Sequence, residues 1–468
     1  MKKKSPNTRQ MFNLTFAAFG IQFGSALQMA NMSSIYKFLG ANVNDLGFLW
    51  LAAPVTGLVI QPLFGFLSDR TGFWIGQRWF RRSPYMLAWA AVAFVSMFLM
   101  PNSVNLLMAA LLLWGMDSSQ NGATETFRAM LGDSVTRAEK TRTFAVQTFF
   151  ATGGAAIAAA LPWIMTTVFG MTGDSAGSQV PAAIHAAFYI GGTAFFVCVV
   201  YTILTTPEVP PENLEEFLEE KRKRREAPGG VLRSIGGGFA TAFHEVVHLP
   251  RVIREFFPVQ LFCWVGLFCM WIYFGMGIAQ QIFDLPPGAK VSGNHLYSVE
   301  LQKGTAWCGL AFALYQVVAF LYSTRIARVA DRIGGRATHG LSLILGGLAL
   351  MLALLIYNQY VLLLCMIGVG ITWGSIMTIP YALIAREVPE SKLGFYMGLF
   401  NITITVPQII CALALGLIAR EVFDNNAMQI VFMGGAFLVV AGLLMLRLQQ
   451  KYNQRTRATE AAGAPVSG

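Results

Sequence analysis

Apolar stretches long enough to cross a lipid bilayer as helices, about twenty residues each, recur from residue 11 almost to the end of the chain. A soluble core could bury a few such stretches, but not a succession of them. Twelve segments qualify, near residues 11–35, 44–68, 84–100, 104–131, 142–168, 183–205, 256–284, 304–327, 338–357, 361–384, 394–420 and 427–447. In hydrocarbon every backbone N–H and C=O must find a partner inside the structure, so runs of this kind read as helices. Only 12% of the residues are charged, about half the fraction usual in a soluble domain. The expectation is an all-α membrane protein with twelve transmembrane helices.

One interruption is larger than a loop. Residues 206–255 contain "TPEVPPENLEEFLEEKRKRREAPGG", acidic and then strongly basic, before the break at Pro228-Gly229-Gly230. This divides the chain into a six-helix bundle over 1–205, a linker over 206–255 and a second bundle over 256–447. Residues 448–468 read as a flexible tail. The net charge of +10 is dispersed between apolar runs, which argues for membrane topology and against a nucleic-acid partner. Arg70 to Arg82, Arg137 to Arg142, Lys221 to Arg225, Arg328 to Arg336, Arg386 to Lys392 and both tails fall on one side. The other side holds only Lys37, Lys290, Lys303 and Arg420. The positive-inside rule then makes both termini and the linker cytoplasmic, in a multi-pass protein of the cell membrane, by impression a bacterial inner membrane. The first apolar run lacks a cleavage site and reads as a retained helix rather than a signal peptide. Cys198, Cys263, Cys269, Cys308, Cys365 and Cys411 all lie in apolar segments without C-x-x-C spacing, and read as core side chains.

The halves echo each other. "GFLSDRTGFWIGQRWFRR" follows the second segment and "ARVADRIGGR" the eighth, the second of its half. "FRAMLGDSVTRAEKTRTF" and "PYALIAREVPESKLGFYM" hold matching places after the fourth and tenth. Matching loops in register imply two parallel six-helix pseudo-repeats. The loop pattern, with Gly65 or Ala327 four residues before Asp69 or Asp331 and arginines downstream, resembles that of the major facilitator superfamily. A narrower likeness lies in "FGIQFGSALQMANMSSIYKFLG", "FLWLAAPVTGLVIQPLFGFLSDR", "DSSQNGATETFRAMLGD" and "LPRVIREFFPVQLFCWVGLF". These resemble the plant sucrose–proton symporters and their animal and bacterial relatives, within the glycoside–cation symporter group. The resemblance is dense over residues 20–135 and 249–268. It implies the major facilitator fold, a proton site at Asp117, and sugar binding tied to Arg128. The chain departs from the plant pattern at Asn42, where a His stands, at Phe274 and Met276, where acids stand, and at Glu125, which replaces a small residue.

The fourth segment, "WGMDSSQNGATETFRAMLGD", carries Asp117, Asn121, Glu125 and Arg128 at helical spacings of four, four and three, on one face. Each charge placed at bilayer depth costs about 2.5–3.5 kcal/mol on insertion scales, so such groups face a cavity or a partner. Asp117 lies near mid-membrane, and as a neutral acid it could donate a hydrogen bond to a sugar hydroxyl. It is the candidate proton-coupling residue, with a purely structural acid as the alternative. Arg128, about 16 Å further along the axis, is a candidate for ligand contact or for a gate with Glu125 or Asp133. Glu125 reads first as its i,i+3 partner.

Sugars need many directional hydrogen bonds, and amides supply donors and acceptors together. Gln22, Gln28 and Asn31 in the first segment, Asn121 in the fourth, and Asn401 and Gln408 in the eleventh fit that need. Gln28, Asn31, Asn121, Asn401 and Gln408 are the chosen candidates, with interhelical bonding as the alternative. Trp264, Trp271, Trp307 and Trp373 could stack on the apolar face of a pyranose, with packing or interfacial placement as the alternative. Trp373 in "GITWGSIMTIPY" is the preferred ring, with Tyr315 and Gln316 as further contacts. The superfamily resemblance implies that Asp69, Arg70, Arg82, Asp331, Arg332 and Arg336 belong to cytoplasmic gates, contacts that form and break as the halves rock. Charges set by topology alone are the alternative. Asp133 and Glu125 are gate candidates with Arg128.

"HEVVH", His244 to His248, matches the H-E-x-x-H zinc pattern, with Glu245 as base. The stretch "GGFATAFHEVVHL" reads better as an amphipathic surface helix, and no metal or other cofactor is expected. No Gly-x-x-x-x-Gly-Lys loop points to ATP hydrolysis by this chain. The sequence therefore reads as a non-enzymatic secondary transporter, a proton-coupled importer of a sucrose- or maltose-type disaccharide or related glucoside. It is expected to act as a monomer in lipid. A non-sugar cargo or export on the same fold is the second reading, and an intramembrane zinc protease a remote third.

Overall fold

A computed structural model of the chain describes residues 7–135, 140–171, 180–210, 214–226, 251–387 and 393–461. The predicted HEVVH motif and the amphipathic helix around it lie outside the described residues. Nearly all the described chain is helical.

In the first half, α1 (Thr8–Thr15) and α2 (Ala17–Phe38) form the first crossing. Asn7 starts it with a capping box, accepting from the Gln10 amide at 2.8 Å and donating its own N–H to Gln10 Oε1 at 3.0 Å. The second crossing comprises α3 (Leu46–Leu49) and α4 (Ala52–Arg70). Asn42, one of the departures from the plant pattern, shares a capping box with Asp45 at the turn leading into it. Then follow α5 (Ser83–Leu99), α6 (Leu106–Ser134), α7 (Lys140–Trp163) and α8 (Ala182–Thr205). Between α4 and α5 the loop makes a small antiparallel hairpin, β1 (Phe73–Ile75) with β2 (Arg78–Phe80), turned at Gly76 with φ +58°.

The linker carries α9 (Leu214–Glu226), a helix the sequence reading left out. Its Phe217 packs on Trp79 of the hairpin, ring centroids 6.0 Å apart. The second half begins earlier than expected, with α10 (Arg251–Ile282), followed by α11 (His295–Ile333) and α12 (Gly335–Ala353). The tenth crossing is broken into α13 (Gln359–Ile376) and α14 (Ile379–Glu387), and α15 (Leu393–Glu421) and α16 (Ala427–Ala461) complete the chain. The expected flexible tail from 448 onward is instead helical as far as Ala461. Its Tyr452 ring lies 4.3 Å from the Arg336 guanidinium, a cation–π contact that ties the last helix to the start of α12.

Ten of the described helices are long and apolar enough to cross a membrane. The first and fourth crossings, α2 and α6, are not among them, because amides and charges dilute their hydropathy. Both lie inside the same bundle, so the architecture is compatible with twelve crossings. In the first half α2 packs on α7 and α8, and α6 on α4 and α5; in the second, α10 packs on α11, α15 and α16, and α12 on α13 and α16. The halves meet where α7 lies along α11, α15 along α3 and α4, and α2 against α10 and α11. This is the two-bundle layout that the internal repeat implies.

The seam is tightest at the end of the bundle away from the Asp69–Arg82 loop. There Thr305 Oγ1 donates to Ser34 Oγ at 2.5 Å, Lys37 Nζ to the Ala289 carbonyl at 3.0 Å, and Tyr273 Oη to the Val43 carbonyl at 3.3 Å. At the other end the halves diverge around a cavity.

Candidate functional site

The polar face of α6 is built into the first half by hydrogen bonds. Asp117 is buried, and its Oδ1 accepts from Gln28 Nε2 at 2.7 Å. Gln28 Oε1 in turn accepts from Gln120 Nε2 at 2.9 Å, so α2 and α6 are pinned by one carboxylate and two amides. Asp117 Oδ2 is buried without a partner, and no cation among the described residues pairs with it. Asn31 is buried as well, donating to the Leu27 carbonyl at 2.7 Å while its Oδ1 is unpartnered. Asn121 accepts from Gln61 Nε2 at 2.6 Å and donates to Thr56 Oγ1 at 3.0 Å. Gln61 Oε1 then accepts from Asn401 Nδ2 at 3.4 Å, which carries the polar chain across to the second half.

The cavity, about 370 Å³, lies between the halves and opens at the end where Arg128 is exposed. Its two walls differ in kind. On the first-half wall the polar side chains Gln22 and Ser25 of α2, Arg128 of α6, and Gln147, Thr148 and Thr152 of α7 alternate with the small or apolar Ala26, Met29, Ala151, Ala155 and Ala159. The aromatic rings are all on the second-half wall, Trp271 of α10, Phe312, Tyr315 and Phe320 of α11, and Trp373 of α13, beside the polar Gln316, Ser323 and Thr378. Trp271 and Trp373 meet edge to face at 5.6 Å, Tyr315 stands 6.5 Å from Trp373, and Trp264 backs both indoles. Gln316 Nε2 reaches the Tyr315 hydroxyl at 3.4 Å.

Of the sequence candidates, Arg128, Tyr315, Gln316 and Trp373 thus line the cavity together. Gln28, Asn31, Asp117 and Asn121 form the hydrogen-bonded layer behind or beside it, and Asn401 joins that layer through Gln61. Gln408 is half-buried on α15, away from the lining residues. Gln147 escaped the sequence reading, whereas Trp271 is one of the four tryptophans that reading considers for stacking, ranked behind Trp373. A signal for the former existed, since Gln147, Ala151, Ala155 and Ala159 repeat every four residues along one face of α7. The expected pair between Glu125 and Arg128 does not form: among the described residues no ion pair joins them. Glu125 lies half-buried against Gly65 of α4, while Arg128 turns into the cavity. Phe274 and Met276 are both buried, and Phe274 stacks on Phe312 with centroids 6.1 Å apart.

At the open end, Arg82 is the centre of a charge cluster. Its NH2 reaches Asp69 at 2.5 Å, its Nε reaches Asp133 at 3.0 Å, and its NH1 donates to Ser68 Oγ at 2.6 Å. Arg81 adds Asp69 at 3.3 Å and Asp133 at 3.7 Å. Burial alone would depress the Arg82 guanidinium, but Asp133 and Asp69 hold it above the ordinary arginine value. Glu208, just beyond α8, accepts the backbone N–H groups of Arg81, Arg82 and Ser83 at 3.0, 2.8 and 2.7 Å, and also the Ser83 hydroxyl. It thereby fixes the start of α5. Arg81 and Glu208 were not among the sequence candidates. Among the described residues the carboxylate and serine partners of Arg81 and Arg82 on α4 and α6 belong to the first half. Glu208 and Phe217, whose ring lies 5.5 Å from the Arg81 guanidinium, come from the linker. Arg70 ends α4 nearby, and Asp331 and Arg332 are exposed at the corresponding place in the second half.

Replacing Arg82 by Ala should cost about 2 kcal/mol. That is less than the loss for a fully buried pair, because Asp69 and Asp133 are 59% and 37% exposed and partly screened. Arg82→Lys should recover only part of this, since an ammonium cannot span both carboxylates and the serine. Thermal unfolding in detergent is the check, and equal melting of all three proteins would remove the anchoring role.

The Major Facilitator Superfamily model matches residues 14–299 and 293–468. Among curated proteins, the chain is similar to Sucrose transport protein SUT5 of Oryza sativa, 22% identical over 97% of this chain and 91% of the relative. It is similar also to Sucrose transport protein SUC4 of Arabidopsis thaliana, 24% identical over 87% of this chain and 84% of that one. Solute carrier family 45 member 3 of Mus musculus is 23% identical over 82% of this chain and 71% of its own length. Among solved structures, the nucleoside transporter NupG superposes with a TM-score of 0.62 at 13% identity, covering 94% of this chain and 99% of that one. The POT family transporter PepTSo superposes at 0.65 and 13%, covering 96% and 99%. These likenesses share the fold alone. The expected fold and the expected absence of enzymatic character agree with relatives that are transporters. The repeated six-helix halves, the cavity between them and the family match over nearly the whole length make this multi-pass membrane protein a member of the Major Facilitator Superfamily.

Proposed function

We propose that the protein is a proton-coupled importer of a disaccharide or related glucoside, working by alternating access. The observation that carries this reading is the two-sided cavity. Its amide and hydroxyl wall suits the hydroxyl edges of a sugar, and its indole wall suits the apolar face of a pyranose ring. The named sucrose transport relatives support the cargo class. Both termini and the Arg82 cluster face the cytoplasm in this reading, so the conformation is inward-facing: the Ser34–Thr305 and Lys37–Ala289 contacts seal the outer side. A bacterial inner membrane would be the setting, and one chain is sufficient for the cycle.

Asp117 is the proton carrier in this scheme. Its ionised form has no counter-charge, whereas a proton on Oδ2 removes the charge and turns an orphaned acceptor into a donor. Gln28 keeps the carboxyl oriented. Each charge moved through the membrane field contributes about 2.3 kcal/mol per 100 mV to accumulation.

Purified protein in liposomes should take up labelled sucrose or maltose faster and to a higher level when an inward proton gradient is imposed. Uptake of both sugars that ignores the gradient refutes the coupling. A second reading, a non-sugar cargo or export, is favoured by the apolar Phe274 and Met276 where the plant pattern has acids. Thermal stabilisation by no member of a sugar panel would select it.

A further inference from the structure

We propose that the cavity holds two sugar subsites and that Gln147 is the residue selecting for a second ring. The inference rests on the sugar-transport reading above and deepens it. Depth along the cavity follows from contacts between α7 and α11, which run antiparallel. Phe149 meets Phe320 with centroids 6.0 Å apart, and a Cβ built on Gly309 would lie 2.3 Å from the Ala159 carbonyl. These pairs set a register in which Gln316 stands level with Thr152, five residues from Gln147. At 1.5 Å rise per residue, Gln147 therefore lies about 8 Å nearer the open end than Gln316. That spacing exceeds one pyranose ring and suits two joined rings.

The inner subsite is the aromatic box of Trp271, Trp373 and Tyr315 with Gln316 and Gln22. The mouth subsite has a different character. Gln147, Ser323 and Arg128 line it, and Arg128 is exposed there. Gln147 Oε1 is buried and has no hydrogen-bond donor, although its residue lines the cavity. A buried amide oxygen without a donor is costly, and a turn of the Gln147 side chain into the cavity that its residue lines would let a sugar hydroxyl supply one. Ser323 spends its own hydroxyl on the Phe320 carbonyl at 2.7 Å, which leaves its oxygen available as an acceptor only. Thr148 likewise donates to the Phe144 carbonyl at 2.9 Å, so both hydroxyls only accept, and Gln147 and Arg128 are the side chains at the mouth that can donate to a sugar oxygen. Because Gln147 lies about 8 Å from Gln316 along the axis, it is placed to read the second ring and not the first.

The test compares a disaccharide with a one-ring probe, using the full chain in liposomes and measuring KM for maltose and for methyl α-glucoside. Gln147→Leu should raise the maltose KM about tenfold, the loss expected for one buried hydrogen bond left unmade, and leave methyl α-glucoside unchanged. Gln147→Asn, which keeps the amide but shortens its reach, should fall between. Equal changes for both probes, or none, overturn the two-subsite assignment while leaving sugar transport intact. Failure of the unsubstituted protein to carry either probe removes the sugar reading itself, and this inference with it. Unfolding midpoints of both variants identify a folding defect. Should Gln147→Leu not fold, the maltose-to-glucoside KM ratio of Gln147→Asn alone decides, an unchanged ratio overturning the assignment.

Discussion

Asp117→Asn should abolish proton-driven accumulation while leaving exchange of sugar across the membrane intact. The substitution is nearly isosteric, and the asparagine carbonyl oxygen can still accept from Gln28 Nε2, so the pin between α2 and α6 survives. What is lost is the ability to gain and release a charge. With one proton carried per sugar, a potential of 100 mV contributes about 2.3 kcal/mol, or roughly a 50-fold concentration ratio; the variant should equilibrate sugar at a ratio near one. The measurement is steady-state labelled sugar in liposomes with a fixed potential and pH gradient, set beside counterflow with no gradient. Retained counterflow with lost accumulation assigns coupling to Asp117. Accumulation at the original ratio would place it elsewhere, and loss of counterflow as well would make the carboxylate a structural or ligand-binding group.

Gly309→Ala and Gly416→Ala should each drive the protein out of the present conformation. A Cβ at Gly309 would meet the Ala159 carbonyl oxygen at 2.3 Å, and one at Gly416 would meet the Asn44 carbonyl at 1.9 Å. Both neighbours are backbone of the opposite half and cannot rotate aside, unlike the end of a side chain. Both contacts lie toward the sealed end, so relief comes from separating the halves there, the movement that opens the outer side in alternating access. Overpacking of this kind costs about 1–3 kcal/mol, enough to change the ratio of the two conformations roughly 5- to 150-fold. Spin labels at Asn42 and Lys290, both exposed at the sealed end, should report a longer distance in either variant. An unchanged distance with normal stability would mean that the seam does not part there during the cycle.

How much of this could be read from the chain alone depends on the length scale of the signal. The crossings were legible because bilayer thickness fixes helix length. The two halves were legible because "GFLSDR" and "ARVADR" stand at equivalent places. The fourth helix was legible because Asp117 and Arg128 are costly in hydrocarbon and so announce themselves. Side chains whose role depends on a neighbour were not. Trp271 looks like any membrane tryptophan until Trp373 and Tyr315 stand beside it, and Gln147 gains meaning only from an unmet oxygen beside a cavity. Glu125 and Arg128 have the spacing of an ion pair, yet one packs on α4 while the other faces the opening, because helix neighbours decide where long side chains turn.

The sequence by itself determined a membrane-spanning, all-helical chain of two related halves with a charged fourth helix. Hydropathy, glycine and proline placement, and charge distribution are local or strictly periodic and need no partner to act. Tertiary structure alone decided which polar groups face the cavity, which lie behind it, and that Arg82 is anchored within its own half by Asp69, Asp133 and Ser68, and from the linker by Glu208's hold on the adjoining backbone. Hydrogen bonds and close backbone approaches are short-ranged and directional, so they exist only once helices distant in sequence have packed.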